Sequence, residues 1–177
     1  MKYIQSLFRL AFIASFALVF MVTACTPETV TPDPKGTTDI PEGNYGLNKQ
    51  TVLDLVNATR ATGCNCGTKT MPPVPALTWN NRLATAAFKH SQDMNDKNYF
   101  EHTSQDGRSF STRITAEGYN WLSVGENIAK GYSTEQEVVQ AWFNSPGHCE
   151  NIMSSKFTEM GAGRVGEYWT QDFGKPE

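Results

Sequence analysis

Three histidines and four cysteines are few enough to weigh one at a time. His102 sits in a polar stretch, Tyr99-Phe100-Glu101-His102-Thr103-Ser104, and His148 follows Pro146-Gly147, just beyond the expected end of a helix. Loop residues on a helical scaffold are well placed to serve a cleft. Neutral imidazole can bind a divalent cation or move a proton near neutral pH. The plainer role for both is to pin loops through hydrogen bonds, and spacing alone does not bring them together. His90 stands at helical spacing between Leu83 and Met94 and reads as a packing residue. Glu126 lies in Gly125-Glu126-Asn127-Ile128-Ala129. An acid in such an apolar run must be paired, hydrogen-bonded or turned towards a cleft. Capping backbone amides is its structural alternative.

The cysteines divide by position. Cys25 ends an apolar leader, leaving Cys64, Cys66 and Cys149. Cys149 can pair with only one of the other two, and a bridge between Cys64 and Cys66 would strain a ring spanning one residue. Three alternatives arise: a structural disulfide, a Zn²⁺ site of three cysteines with the neighbouring His148, and a Cys-His nucleophilic pair. An oxidising compartment favours the disulfide. Closing a loop of about 80 residues would stabilise by roughly 4 kcal/mol in the chain-entropy model.

These residues need elements to position them. Val52, Leu55, Val56 and Thr59 recur at helical spacing, with Gly63 as a stop. Pro72, Pro73 and Pro75 force an extended connection. A second helix is expected over 80–97, with Leu83, Ala87, His90 and Met94 on one face, and a third over 110–117, ended by Gly118. Residues 121–129 read as a strand. Thr134 and Glu137 form a capping box for a fourth helix with Val138, Ala141 and Trp142 inward, ended by Pro146-Gly147. Residues 159–165 and 167–173 read as a hairpin through Gly166. Helices and strands mix without regular βαβ alternation, which predicts an α+β domain layered around an antiparallel sheet.

The first 24 residues read as a lipoprotein signal peptide. Lys2 and Arg9 form a basic n-region, and the apolar run from Leu10 to Val22 is short for a membrane span. Val22-Thr23-Ala24-Cys25 resembles a bacterial lipobox, with Cys25 as the lipidated first residue of the mature chain. The alternative is an ordinary secretory leader cleaved elsewhere. Acyl chains on Cys25 would anchor the protein to a membrane of the cell envelope, outside the cytoplasm. Residues 25–46, rich in Pro and Thr, read as a solvated tether, and residues 47–177 as the folded domain. The net charge is −3; without Lys2 and Arg9 the 15 basic residues become 13, against 18 acidic. The absence of a basic stripe argues against a duplex nucleic-acid partner.

The ordered motifs carry a resemblance. Leu77-Thr78-Trp79-Asn80, His90-Ser91-Gln92-Asp93-Met94, Tyr99-Phe100-Glu101-His102, Gly125-Glu126-Asn127-Ile128-Ala129-Lys130-Gly131, Trp142-Phe143-Asn144-Ser145-Pro146-Gly147-His148, Asn151-Ile152-Met153 and Tyr168-Trp169-Thr170-Gln171-Asp172-Phe173-Gly174 follow one another along nearly the whole domain. This set resembles the CAP (cysteine-rich secretory, antigen 5, pathogenesis-related 1; SCP) superfamily, in its bacterial form. The resemblance implies an α-β-α sandwich, a central antiparallel sheet between helical layers, with an open cleft where two histidines and acidic residues meet. By motif, His102 and His148 match the cleft histidines and Glu126 the acid. Many eukaryotic members carry a second acid after the tryptophan of the fourth helix, where this chain offers only Ser145. The same resemblance favours Cys66, followed by Gly67, over Cys64 as the partner of Cys149.

The resemblance implies no single reaction. The favoured expectation is a lipid-anchored binding module whose cleft takes a lipid, peptide or glycan, with Zn²⁺ or another divalent cation at His102 and His148. A metal-assisted hydrolase, with Glu126 orienting water, is one alternative; a structural envelope protein with a vestigial cleft is another. Whether the chain is an enzyme stays open, and neither His-Glu-x-x-His nor Gly-x-Ser-x-Gly is present.

Overall fold

Polar side chains decide where the helices begin. In the computed structural model, which describes residues 43–177, Asn48 accepts from the Thr51 amide and opens α1 (Lys49–Thr62). Asn80 accepts from the Arg82 and Leu83 amides and opens α2 (Asn81–Lys97). Ser109 caps α3 (Phe110–Ala116) through the Thr112 amide. Thr134 and Glu137 close a reciprocal capping box on α4 (Glu135–Asn144). Each device satisfies amides that a helix start would leave bare. The signal peptide, most of the tether and Cys25 lie outside the described residues. Packing begins at Tyr45, two residues before the boundary read from the sequence: its ring is buried and 6.0 Å from that of Trp79, and its carbonyl accepts from the Arg164 amide.

Several details depart from the sequence reading. Between α1 and α2, the chain forms a small antiparallel hairpin, β1 (Cys64–Cys66) and β2 (Lys69–Met71), before the proline-rich connection. A two-residue strand follows, β3 (Thr78–Trp79). After β4 (Trp121–Lys130) and α4, Pro146 does not end helical structure; it starts α5 (Pro146–Ile152). Proline suits a first helical position because its φ is already helical and its missing amide is not needed there. His148 therefore stands in the first turn of a helix, not in a loop. Ala141 is only partly buried; Val138, Val139 and Trp142 form the inner face of α4.

The sheet closes with β5 (Glu159–Val165) and β6 (Tyr168–Pro176), joined through Gly166 at φ 57°. Its order is β3-β5-β6-β4. The three long strands are antiparallel, while short β3 lies parallel to β5. Side chains alternate across the sheet. Trp169 and Phe173 join Val52, Val56, Val138, Trp142 and Ile152 in the main core. On the opposite face, Ser91 of α2 donates to the Thr170 hydroxyl. The result is a sheet between helical layers, an α-β-α sandwich. Helix α2 lies close enough to β5 that a Cβ at Gly161 would sit 2.1 Å from the Ala84 nitrogen, and one at Gly163 2.3 Å from the Phe88 Cα. Glycine is what lets helix and strand approach there.

Two buried polar residues tie the helices down. Arg60 in α1 is 1% exposed and donates to the carbonyls of Pro75, Ile152 and Ser154. It fastens the proline-rich connection to the end of α5, and burial lowers its pKa to about 10. His90 in α2 is fully buried; its Nε2–H donates to the Glu101 carbonyl at 2.9 Å, and its Nδ1 has no partner among the described residues. Burial holds the His90 pKa below its ordinary value, against the opposing pull of Glu126.

Arg60→Ala should destabilise the domain by about 3 kcal/mol in urea unfolding, because it strands several buried carbonyls. The His90 effect has a definite sign. The unfolded chain takes up a proton at position 90 near pH 6.5 and the folded chain does not, so stability is full above about 6.5 and declines as pH falls below it. His90→Gln keeps a donor without a titrating ring, and melting curves between pH 7.5 and 5 (roughly spanning that range) should show a shallower acid decline than the parent.

Candidate functional site

Glu126 is the centre of a buried polar cluster. It projects from β4 with no side-chain exposure. Its Oε1 accepts from His102 Nδ1 at 2.7 Å and its Oε2 from Arg113 Nη2 at 2.5 Å. Arg113 comes from α3 and is itself buried. Its Nη1 donates to the His102 and Arg108 carbonyls and to the Ser104 hydroxyl, while its Nε has no partner among the described residues. One guanidinium therefore holds both the acid and the loop that carries His102.

The carboxylate also fixes the tautomer of His102. Because Nδ1–H donates to Glu126, the lone pair of neutral imidazole sits on Nε2, on a side chain that is 51% exposed. Asp172 of β6 stands directly across from Glu126 in the strand register. It is fully buried, and burial together with the Glu126 charge pushes its pKa well above the carboxylate range. Two adjacent buried carboxyl groups cannot both ionise cheaply; Arg113 and His102 serve Glu126, and Asp172 is the neutral partner.

His148 enters from the other side of edge strand β4. Asn127 donates to the His148 carbonyl and to Gln171, while Asn151 donates to the Glu126 carbonyl and the Asn127 side chain. This amide ladder fixes α5 against β4 from His148 to Asn151. Burial, then the nearby charge of His102, lowers the His148 pKa. Ser145 and His148 line a cavity of about 270 Å³ with Phe100, Tyr132 and Trp142. A larger groove of about 620 Å³ shares Tyr132, Ala141 and Ser145 with it and continues along α4 past Gln140 and Asn144.

The structure thus places His102 in contact with Glu126, and His148 and Ser145 together in the adjoining cavity. His90 stays in the packed layer. Among the described residues, the three potential metal ligands whose donor atoms all lie within 4.8 Å of one another are Cys64, Cys66 and Cys149. Cys66 and Cys149 are joined as a disulfide, with Cα atoms 5.4 Å apart, so their sulfurs are not thiolate ligands. Sequence reasoning overlooked Arg113 and Asp172. Arg113 stands beside Ile114 on the buried side of the short helix α3, and Asp172 precedes Phe173 in a buried strand. A charge at Arg113 requires a buried partner, the same argument that singled out Glu126; Asp172 has no partner for either oxygen among the described residues, and burial raises its pKa.

The comparisons with known proteins bear on family and fold. The sequence profile of the cysteine-rich secretory protein family, CAP, matches residues 53–173. The chain is 39% identical over 139 residues to the uncharacterized protein YkwD of Bacillus subtilis, spanning 77% of this chain and 50% of that relative. It is 33% identical over 126 residues to the uncharacterized membrane protein YlbC of the same organism, spanning 71% of this chain and 34% of the relative. It therefore covers half or less of the length of either. An extracellular protein containing an SCP domain from Bacillus anthracis superposes with a TM-score of 0.65 at 32% identity, over 72% of this chain and 40% of that one. An outer surface protein of Borrelia burgdorferi, at 20% identity and a TM-score of 0.57 over 72% of this chain and 89% of that one, shares the fold. By the extent of the family match and the identity of its relatives, the chain belongs to the cysteine-rich secretory protein family, CAP.

Proposed function

We propose that the protein is an extracytoplasmic binding module, anchored through lipidated Cys25, whose cleft at His102, Ser145 and His148 takes a lipid, peptide or glycan. One observation carries the preference for binding over catalysis: both oxygens of Glu126 are engaged, one by His102 and one by Arg113. A carboxylate so held, with no solvent exposure, orients His102 and is not free to activate water itself. The cavity beside His148 runs into the groove along α4. Aromatic walls at Phe100, Tyr132 and Trp142 beside amides at Gln140 and Asn144 suit an extended ligand with both apolar and polar parts. The extracytoplasmic placement rests on the leader and on the extracellular and outer-surface relatives.

The reading includes a divalent cation held by the His102 and His148 imidazoles. Glu126 orients His102 as carboxylates commonly orient metal-bound histidines, leaving Nε2 as the donor atom. The lowered His148 pKa favours its neutral form, the one that coordinates. With two protein ligands, water would complete the shell of Zn²⁺, supplying Lewis acidity next to the cavity. The same His102–Glu126 pair supports a second reading, a hydrolase in which Nε2 takes a proton from water.

His148→Ala should weaken Zn²⁺ binding by at least about tenfold, measured by calorimetry on the soluble domain, while His90→Ala should leave it nearly unchanged. Binding in the parent should decline as pH falls through about 6.5, where imidazoles take up protons. Equal affinity in all three proteins would remove the metal site. Turnover on a peptide and glycan panel, lost in His148→Ala, would establish the hydrolase instead. Cys25→Ser should abolish incorporation of a fatty-acid probe and move the protein from the membrane to the soluble fraction.

A further inference from the structure

The hairpin β1–β2 and helix α5 bring together three cysteine sulfurs, not two. Cys66 and Cys149 form the disulfide, and both are buried with Met153. Cys64, the one cysteine among the described residues outside a disulfide, places its Sγ 3.7 Å from Cys149 Sγ. All three sulfurs lie within 4.8 Å of one another. A structural bridge needs no third thiol against it, and the cleft chemistry uses none of these residues.

We propose that Cys64, Cys66 and Cys149 form a thiol–disulfide exchange centre in which Cys149 alternates between Cys66 and Cys64. The Cys64 thiolate attacks Cys149 Sγ; the Cys64–Cys149 bond forms, the Cys66–Cys149 bond breaks, and the electron pair leaves on Cys66 as thiolate. Sulfur oxidation states balance within the cluster, so no external oxidant or reductant enters. Attack must come along the axis of the breaking bond. The three sulfurs form a compact triangle, so the partly exposed Cys64 side chain first rotates about χ1, a fast motion for such residues. Cys149 is the pivot because it is reachable from both partners, whereas Cys64 and Cys66 are too close in sequence to bridge one another.

The two states differ where it can be measured. With Cys66–Cys149 paired, the free thiol is Cys64, half-buried at the surface; with Cys64–Cys149 paired, it is Cys66, 2% exposed. Either state keeps the hairpin stapled to α5 immediately beside His148. A small-molecule thiol that opened the bridge at Cys149 would be displaced again by whichever cysteine stood nearest. Cys64 thus gives Cys149 a second partner through which the staple can re-form. Burial pushes the Cys64 thiol pKa up, so exchange is slow at neutral pH and is best followed at mildly alkaline pH.

The test uses the mature oxidised protein, equilibrated at mildly alkaline pH with a trace of small thiol, acid-quenched and alkylated after denaturation. Non-reducing peptide mapping should find the alkyl label on both Cys64 and Cys66, with the two matching bridges. In Cys64→Ser the Cys66 label should be lost. Cys66→Ser should still form a disulfide, Cys64–Cys149, and melt as a cooperative domain. Label confined to Cys64 in the parent, or two free thiols in folded Cys66→Ser, would overturn the proposal. Neither readout depends on the cleft ligand, so the proposed binding function can fail without affecting this outcome, and the reverse.

Discussion

A carboxylate stripped of water has to be compensated by whatever surrounds it, and in this domain that requirement organises the site. Glu126 sits in the middle of β4 with no side-chain exposure. An isolated buried charge would be prohibitive. Arg113 supplies the compensating charge from α3, and its Nη1 binds the backbone of the loop between α2 and α3. His102 supplies the second hydrogen bond and is oriented by giving it. Asp172, across the ladder, is kept neutral beside this ionised neighbour. Breaking a buried pair of this kind by removing one partner typically costs about 3–5 kcal/mol. The half-exposed His102 imidazole is therefore held by the same contacts that make burial of Glu126 tolerable.

The other half of the site depends on a different restraint. Helix α5 is only seven residues long and starts at a proline without a side-chain cap. A helix of that length has little stability of its own. It is held at its N-terminal turn by the Cys66–Cys149 disulfide and by Asn127, and at its C-terminal end by Arg60, whose guanidinium takes the Ile152 carbonyl. The exposed Lys69–Glu150 ion pair adds a contact from the β1–β2 hairpin, of the kind that contributes little in water. His148 lies inside this set of ties. Its position in the cleft follows from sequence-distant anchors, not from the intrinsic helicity of Pro146–Ile152.

Sequence and tertiary structure contributed separable things. Helix starts are legible at Asn80 and Thr134 because capping is local chemistry, confined to a few residues. The hairpin through Gly166 and the burial of His90 are legible for the same reason, since a periodic pattern or a turn residue needs no distant partner. The ordered motifs from Leu77 to Gly174 identify the family and, with it, the sandwich. The helical start at Pro146 is hidden because Pro-Gly marks the end of one helix as readily as proline opens the next. What decides between them is that the following turn, with Cys149 and Ile152, has a core to bury into. The short strand β3 is invisible because two residues carry no period, and only pairing with β5 makes them a strand.

The sequence by itself determined that His102, Glu126 and His148 carry chemistry-capable groups, that Cys149 has two possible partners, and that the chain opens with a leader-like segment. Tertiary structure decided how those groups are used. It selected Cys66 over Cys64 for the bridge, leaving Cys64 against the same sulfur. It joined Glu126 to Arg113, 13 residues away along the chain, and to Asp172 across the ladder. It set the His148 backbone against Asn127 of β4. Local propensity acts over a few residues, whereas the energy of a buried charge depends on whichever side chains the sheet and its helices place within a few ångströms, and that proximity exists only once the chain has folded.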